Sequence, residues 1–250
     1  MFFAIQETPY DLKWRMFRIH VRVHPFFWLG AGIISWNLLR AFGIPGLLIG
    51  ITCVFVSILL HELGHVVVGN CFGSHGHIVL WAFGGFAIGS VDLRSRWKRI
   101  AVTFAGPGVQ LILYALLRVG DPYIPRPENV EASGLINVAI DVMLWINLYW
   151  SLLNLLPIFP LDGGLIARDL FTWFTPRNGV RFSLHLSIGV CLLFALHAFV
   201  ADRTGQGIPY LPVGVSIAIF FLVFAAMGYQ ALQAEHERTR SFDPWDHERW

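Results

Sequence analysis

Long apolar runs separated by short polar, basic stretches organise this chain. Six runs approach the length a bilayer demands, about 20 residues for a helix: about Pro25–Leu39, Gly46–Asn70, Lys98–Val119, Gly134–Leu156, Val180–Val200 and Pro212–Leu232. The first is the shortest. Two stretches carry the period of a strand instead. Arg18-Ile19-His20-Val21-Arg22-Val23-His24 alternates polar with apolar and predicts an interfacial strand. Ile78 to Phe83, Gly84-Gly85, then Phe86-Ala87-Ile88 predicts a short hairpin turning on two glycines. The expected architecture is an all-α polytopic membrane protein of about six transmembrane helices, with a short membrane-associated β-hairpin. Residues 1–24 form a cytoplasmic segment, 25–232 the membrane domain with its core at about 46–175, and 233–250 a polar tail. The opening residues lack a basic n-region and turn polar early, so no cleaved signal and no added soluble module are expected.

Composition agrees. The chain is 56% hydrophobic and 14% charged, with mean hydropathy +0.60, whereas globular domains average about 25% charged. Charge placement sets an orientation. With a cytoplasmic N-terminus, 14 of the 18 Lys and Arg fall on the cytoplasmic side, and only Arg40, Arg118, Arg126 and Arg203 fall opposite. Both termini are then cytoplasmic, in a multi-pass cell-membrane protein. The net charge of +2 follows from that topology and calls for no nucleic-acid partner. Cys53, Cys71 and Cys191 show no paired spacing, and two lie in apolar runs. They read as reduced, packed thiols.

Within the second run stands His61-Glu62-Leu63-Gly64-His65. On a helix, positions four apart share a face, so both imidazoles reach one metal ion. Glu62 beside the first ligand is placed as general base for an attacking water. Polar groups are costly at membrane depth and are usually functional there. A catalytic zinc takes about three protein ligands and keeps one position open. Asp162 is the candidate third ligand. It follows Asn154-Leu155-Leu156-Pro157-Ile158-Phe159-Pro160-Leu161 and precedes Gly163-Gly164. The prolines stop the fourth span and the glycines permit a tight turn, lowering a carboxylate into a protein-lined cavity.

The two motifs together resemble the site-2 protease family of intramembrane zinc metalloproteases. Weaker matches are the glycine hairpin at 81–86, Ala105-Gly106-Pro107-Gly108, and the His24-Pro25 step. The resemblance implies a three-helix catalytic core, one zinc held by His61, His65 and Asp162, and Glu62 as base. The expected activity is hydrolysis of peptide bonds in or near transmembrane segments of membrane-protein substrates, in regulated intramembrane proteolysis. Where the family often places Asn after Ala-Gly-Pro, this chain has Gln110, so no catalytic role is carried over to it. Asn154 is the candidate donor to substrate backbone or developing oxyanion. Gly84 and Gly85 would mark a strand edge on which an unwound substrate pairs. A catalytically silent zinc-binding or chaperone-like relative, or a transporter, are the alternatives. The complete metal and base set disfavours the first, and the lack of repeated halves with paired broken helices disfavours the second.

Overall fold

The computed structural model describes residues 7–16, 18–82, 84–88, 93–209 and 211–240. Two strands, β1 (Leu12–Met16) and β2 (Ile19–Val23), precede α1 (Pro25–Ile34) and α2 (Trp36–Cys71). A hairpin follows, β3 (His77–Trp81) and β4 (Gly84–Ile88), and then α3 (Arg96–Gly120), a 3₁₀ turn and α4 (Val130–Leu155). The chain closes with α5 (Asp162–Phe174), α6 (Gly179–Thr204) and α7 (Val215–Arg240). Among the described residues five helices, α2, α3, α4, α6 and α7, are long and apolar enough to cross a membrane. The end of the predicted polar tail, 241–250, lies outside the described residues, as does Phe83.

The expectation of about six spans changes at its first member. Pro25–Leu39 is not one long helix. His24 caps α1 by accepting from the Phe26 N–H through Nδ1 at 3.2 Å, and Pro25 occupies the first turn, where its missing N–H costs nothing. The helix stops at Ser35, and α2 begins one residue later. Inside α2, Gly43 adopts φ 66° and ψ −157°, a conformation open to glycine and barred to most residues. That break separates a short lead from the apolar stretch carrying the histidines. Pro45 then sits at the start of the second stretch. Two short helical pieces with a break between them thus replace the predicted first span.

The predicted hairpin is half of a larger sheet, so the fold is not wholly helical. Four strands run in the order β1-β2-β3-β4. β1 and β2 are antiparallel, β2 and β3 are parallel with Val21 opposite Ile78 and Val23 opposite Leu80, and β3 and β4 are antiparallel with Leu80 opposite Gly85. The predicted 18–24 strand appears as β2, while β1 went unforeseen. One face buries Ile19, Val21, Val23, Ile78 and Leu80 against Phe27 and Ala31 of α1, Val54, Ile58 and Val66 of α2, and Ile146 of α4. Burying such side chains contributes roughly 1.5–3 kcal/mol each, which fixes the sheet against the helix that carries the site.

The chain divides into two compact units, one ending at Leu153 and the other starting at Asn154. In the second, 156–161 makes a tight turn into α5. A Cβ on Gly163 would stand 2.2 Å from the Leu155 carbonyl oxygen, and one on Gly164 2.5 Å from the Ile158 carbonyl carbon. Only glycine fits at either place. The Phe159 N–H donates to Ser187 Oγ at 2.8 Å, tying the turn to α6. α6 and α7 pack through Cys191, Ala195, Ala198, Ala201, Ala218 and Ala225, with Phe194 stacked on Phe221 at 4.9 Å. The three cysteines are free thiols.

Candidate metal centre

His61, Glu62 and His65 lie on the apolar part of α2, and none is more than 6% exposed. The two imidazoles meet edge to face with centroids 4.7 Å apart, as the i, i+4 spacing requires. Their Nε2 atoms stand 3.1 Å from each other. Each ring is held from behind by α3. His65 Nδ1 lies 2.8 Å from the Val102 carbonyl oxygen, and a carbonyl only accepts, so Nδ1 carries the proton. His61 Nδ1 lies 2.9 Å from Gln110 Oε1. With both neutral rings protonated at Nδ1, two lone pairs face each other across 3.1 Å. A shared cation resolves that repulsion, and neutral imidazole nitrogen suits a divalent metal.

The space around the rings is kept clear by glycine. A Cβ on Gly106 would stand 2.3 Å from His65 Nε2 and 2.9 Å from His61 Nε2. On Gly64 it would meet the Ala105 carbonyl oxygen at 2.6 Å. The pair Gly64 and Gly106 therefore lets α2 and α3 approach closely and keeps the hollow in front of the nitrogens free of a Cβ. Val102, Gly106 and Gln110 recur every four residues and form one stripe of α3. Among them Gln110 and the Val102 carbonyl were not foreseen as functional. The readable signal was the stripe itself: a small residue flanked one turn on each side, facing a helix with two histidines.

Glu62 points toward the sheet. A Cβ on Gly85 would fall 2.4 Å from its Cγ and 2.6 Å from its carboxyl oxygen Oε1. Gly85 of β4 is thus required bare for the carboxyl to occupy its place. A Cβ on Gly84 would meet nothing within 4 Å, so Glu62 does not require that position to be bare. The first unit therefore brings together His61, His65, Glu62 and Gly85. In the second unit, Asp162 is the first residue of α5, directly after the tight turn. Asn154, in the last turn of α4, is 9% exposed. Asp141 is exposed on α4.

This is the helical frame of a multi-pass membrane protein carrying a metal-ready histidine pair with an adjacent carboxylate. Residues 117–196 match Peptidase family M50. Over 211 residues the chain is 30% identical to "Putative zinc metalloprotease sll0528" of Synechocystis, covering 80% of this chain and 50% of that protein. It is 26% identical to stage IV sporulation protein FB of Bacillus subtilis, over 90% of this chain and 70% of that one. The solved site-2 protease from Methanocaldococcus jannaschii has the same fold, with TM-score 0.56 and 19% identity, over 89% of this chain and 95% of that chain. The chain is similar to the M50, or site-2 protease, family. It spans about half the length of the Synechocystis relative. The M50 match and the zinc metalloprotease relatives imply zinc. The residues fit it, because two neutral imidazoles present lone pairs to one hollow that any Cβ on Gly106 would fill.

Proposed function

We propose that the chain is an intramembrane zinc metalloprotease that hydrolyses peptide bonds within or near transmembrane segments of membrane-protein substrates. The observation that carries this is the convergence of His61 and His65 Nε2 at 3.1 Å beside a buried Glu62. His61 and His65 supply two ligands and Asp162 is assigned as the third, held at a helix start by a turn that glycine alone permits. Bound zinc would polarise the scissile carbonyl and acidify the attacking water.

The chain's own residues do the rest. A peptide bond in a helix is shielded by its i to i−4 hydrogen bonds and must be unwound first. β4 pairs with β3 on one side, and among the described residues no strand pairs with its other edge. That edge offers main-chain hydrogen bonds to an extended segment, immediately beside Glu62, because Gly85 lies on it. Glu62 takes a proton from water as the new C–O bond forms, then delivers it to the amide nitrogen as the C–N bond breaks. Asn154 donates to the substrate backbone or to the oxygen that gains charge. Both termini are cytoplasmic if α1 and the lead of α2 together make a sixth crossing beside the five long helices, and the Lys and Arg then divide 14 to 4. Thiol labelling of single cysteines at Gly43, Glu128 and Gly207, in a background free of native cysteine, tests this. Reaction of Glu128→Cys from the cytoplasmic face would overturn that orientation.

The deciding experiment uses purified protein in detergent, zinc loaded, with a panel of single-span peptides. Glu62→Gln keeps volume and hydrogen bonding but removes the base, so cleavage should drop by about 10²–10⁴-fold with zinc retained. Cleavage by Glu62→Gln at the wild-type rate would sink the protease reading in favour of a binding role.

A further inference from the structure

Gln110 stands where no acid-base or ligand role reaches it, yet it is fully buried at 0% exposure in the middle of α3. A primary amide inside a membrane span is expensive unless its hydrogen bonds are met. They are met at two points on a single turn of α2. Gln110 Nε2 donates to the Ser57 carbonyl oxygen at 3.3 Å, and Gln110 Oε1 lies 2.9 Å from His61 Nδ1. Ser57 and His61 are four residues apart, so the amide bridges the two ends of one helical turn.

This bridge fixes a proton. Amide oxygen and nitrogen are assigned from their partners. The Ser57 carbonyl can only accept, which places the NH₂ of Gln110 there and turns Oε1 toward the imidazole. An amide oxygen only accepts as well, so His61 must donate from Nδ1–H. Its Nε2 is then left with a lone pair aimed into the hollow before Gly106. The tautomer of His61 is therefore dictated by a backbone carbonyl one turn away, relayed through Gln110. His65 needs no relay, because the Val102 carbonyl holds its Nδ1–H directly.

The Ser57 end is itself anchored. Asn147 of α4, 0% exposed, donates through Nδ2 to Ser57 Oγ at 3.0 Å and to the Met143 carbonyl at 2.7 Å. Three helices of the first unit thus meet at Ser57, with the amide of Gln110 linking that junction to the metal-facing ring.

We propose that Gln110 is a positioning residue that locks His61 in its metal-binding tautomer and orientation, and so sets the zinc affinity of the site. The proposal rests on the metalloprotease reading only in taking zinc as the ion; it does not depend on which substrate is cut or whether any is. Partners behind a ligating histidine commonly change metal affinity by about 10–100-fold.

The test measures metal, with cleavage kept out of it. The full chain in detergent is titrated with zinc against a competing chelator, and the visible spectrum of Co²⁺ bound in place of zinc is recorded. Gln110→Met keeps the bulk and removes acceptor and donor; zinc affinity should fall by about 10–100-fold, and the Co²⁺ bands should shift. Gln110→Glu restores an acceptor facing Nδ1–H and should recover affinity to wild-type level or above, with the bands returning toward wild type. A merely space-filling role predicts the opposite ranking, because Met fills the space and a buried Glu is the costlier guest. Wild-type affinity in Gln110→Met, or a Gln110→Glu protein as weak as Gln110→Met, overturns the proposal. Thermal melting of each apo-protein separates misfolding from metal loss. Should Gln110→Glu melt far below wild type, the Ser57→Ala, Asn147→Leu protein supplies the second arm: it loosens the junction and should weaken zinc by less than Gln110→Met, whereas an equal or larger loss overturns the relay. Wild-type protein that binds no zinc at all would instead defeat the metalloprotease reading itself.

Discussion

The α2–α3 pair and the α6–α7 pair are both helix packings in an apolar chain, and they are built on different rules. α6 and α7 meet through alanines, one cysteine and stacked phenylalanines. Of their buried hydroxyls, Ser183 Oγ donates to the Val180 carbonyl in its own helix, and Ser187 Oγ accepts from the Phe159 N–H of the preceding turn. α2 and α3 meet through two glycines and bury His61, Glu62, His65 and Gln110 between and beside them. In a bilayer, close packing of small residues suffices to hold helices together. A junction that also buries four polar side chains carries a cost that scaffolding does not require. The contrast separates the helices that hold the fold from those that hold the chemistry.

The contrast breaks most sharply at glycine. Gly106→Ala puts a Cβ 2.3 Å from His65 Nε2, inside the space where a ligand would sit. Zinc should fall from about one per chain to nearly none, with cleavage lost in parallel, while the chain still inserts and purifies. Metal analysis of the purified variant decides it, and full occupancy would remove the hollow from the account. Next comes Gly85→Ala, whose Cβ would displace the Glu62 carboxyl from 2.6 Å. Here zinc should stay and cleavage should drop by at least about 10-fold, because a misplaced base loses part of the 10²–10⁴-fold that proton transfer supplies. Equal losses of zinc and rate would mean that Gly85 shapes the metal site instead.

How much of this was readable in the amino acids differs between the same two regions. His61, Glu62 and His65 announced themselves because their spacing and their apolar flanks coincide, and helical periodicity then fixes their mutual placement. The hairpin was legible from its two glycines, and the α4 stop from Pro157. β1 was missed because Leu12-Lys13-Trp14-Arg15-Met16 alternates over only five residues and pairs with a neighbour through a short turn. The parallel β2–β3 pairing could not be read, since it joins segments separated by all of α1 and α2. Nor could the break at Ser35, which falls inside one apolar run, whereas the Gly43 break lies in the gap between the first two runs. Gln110 was set aside because a family habit favours Asn near that place, whereas the contact that gives it a role depends on tertiary packing.

On the scaffold side, Ala198 on α6 is 0% exposed. Ala198→Leu overfills that seam and should destabilise the chain by about 1–3 kcal/mol, read as earlier thermal unfolding in detergent. Zinc content should not change. A zinc loss comparable to that of Gly106→Ala would erase the distinction between the two packings.

The smallest effect expected is also the cleanest control. Gly189 lies on the exposed face of α6, and a Cβ there meets nothing within 4 Å. It is a helix glycine of ordinary conformation, so alanine gains only intrinsic helix preference, at most about 1 kcal/mol. Gly189→Ala and Gly106→Ala make the same chemical change at mid-helix in two apolar helices. Propensity alone predicts that both stabilise slightly. The structure predicts that Gly189→Ala unfolds at the wild-type temperature or a little above it, with zinc and cleavage unaltered, and that only Gly106→Ala loses its metal. Should the two variants lose zinc alike, adding a methyl group to any helix of this chain would be disruptive, and Gly106 would have no special claim on the space before His61 and His65.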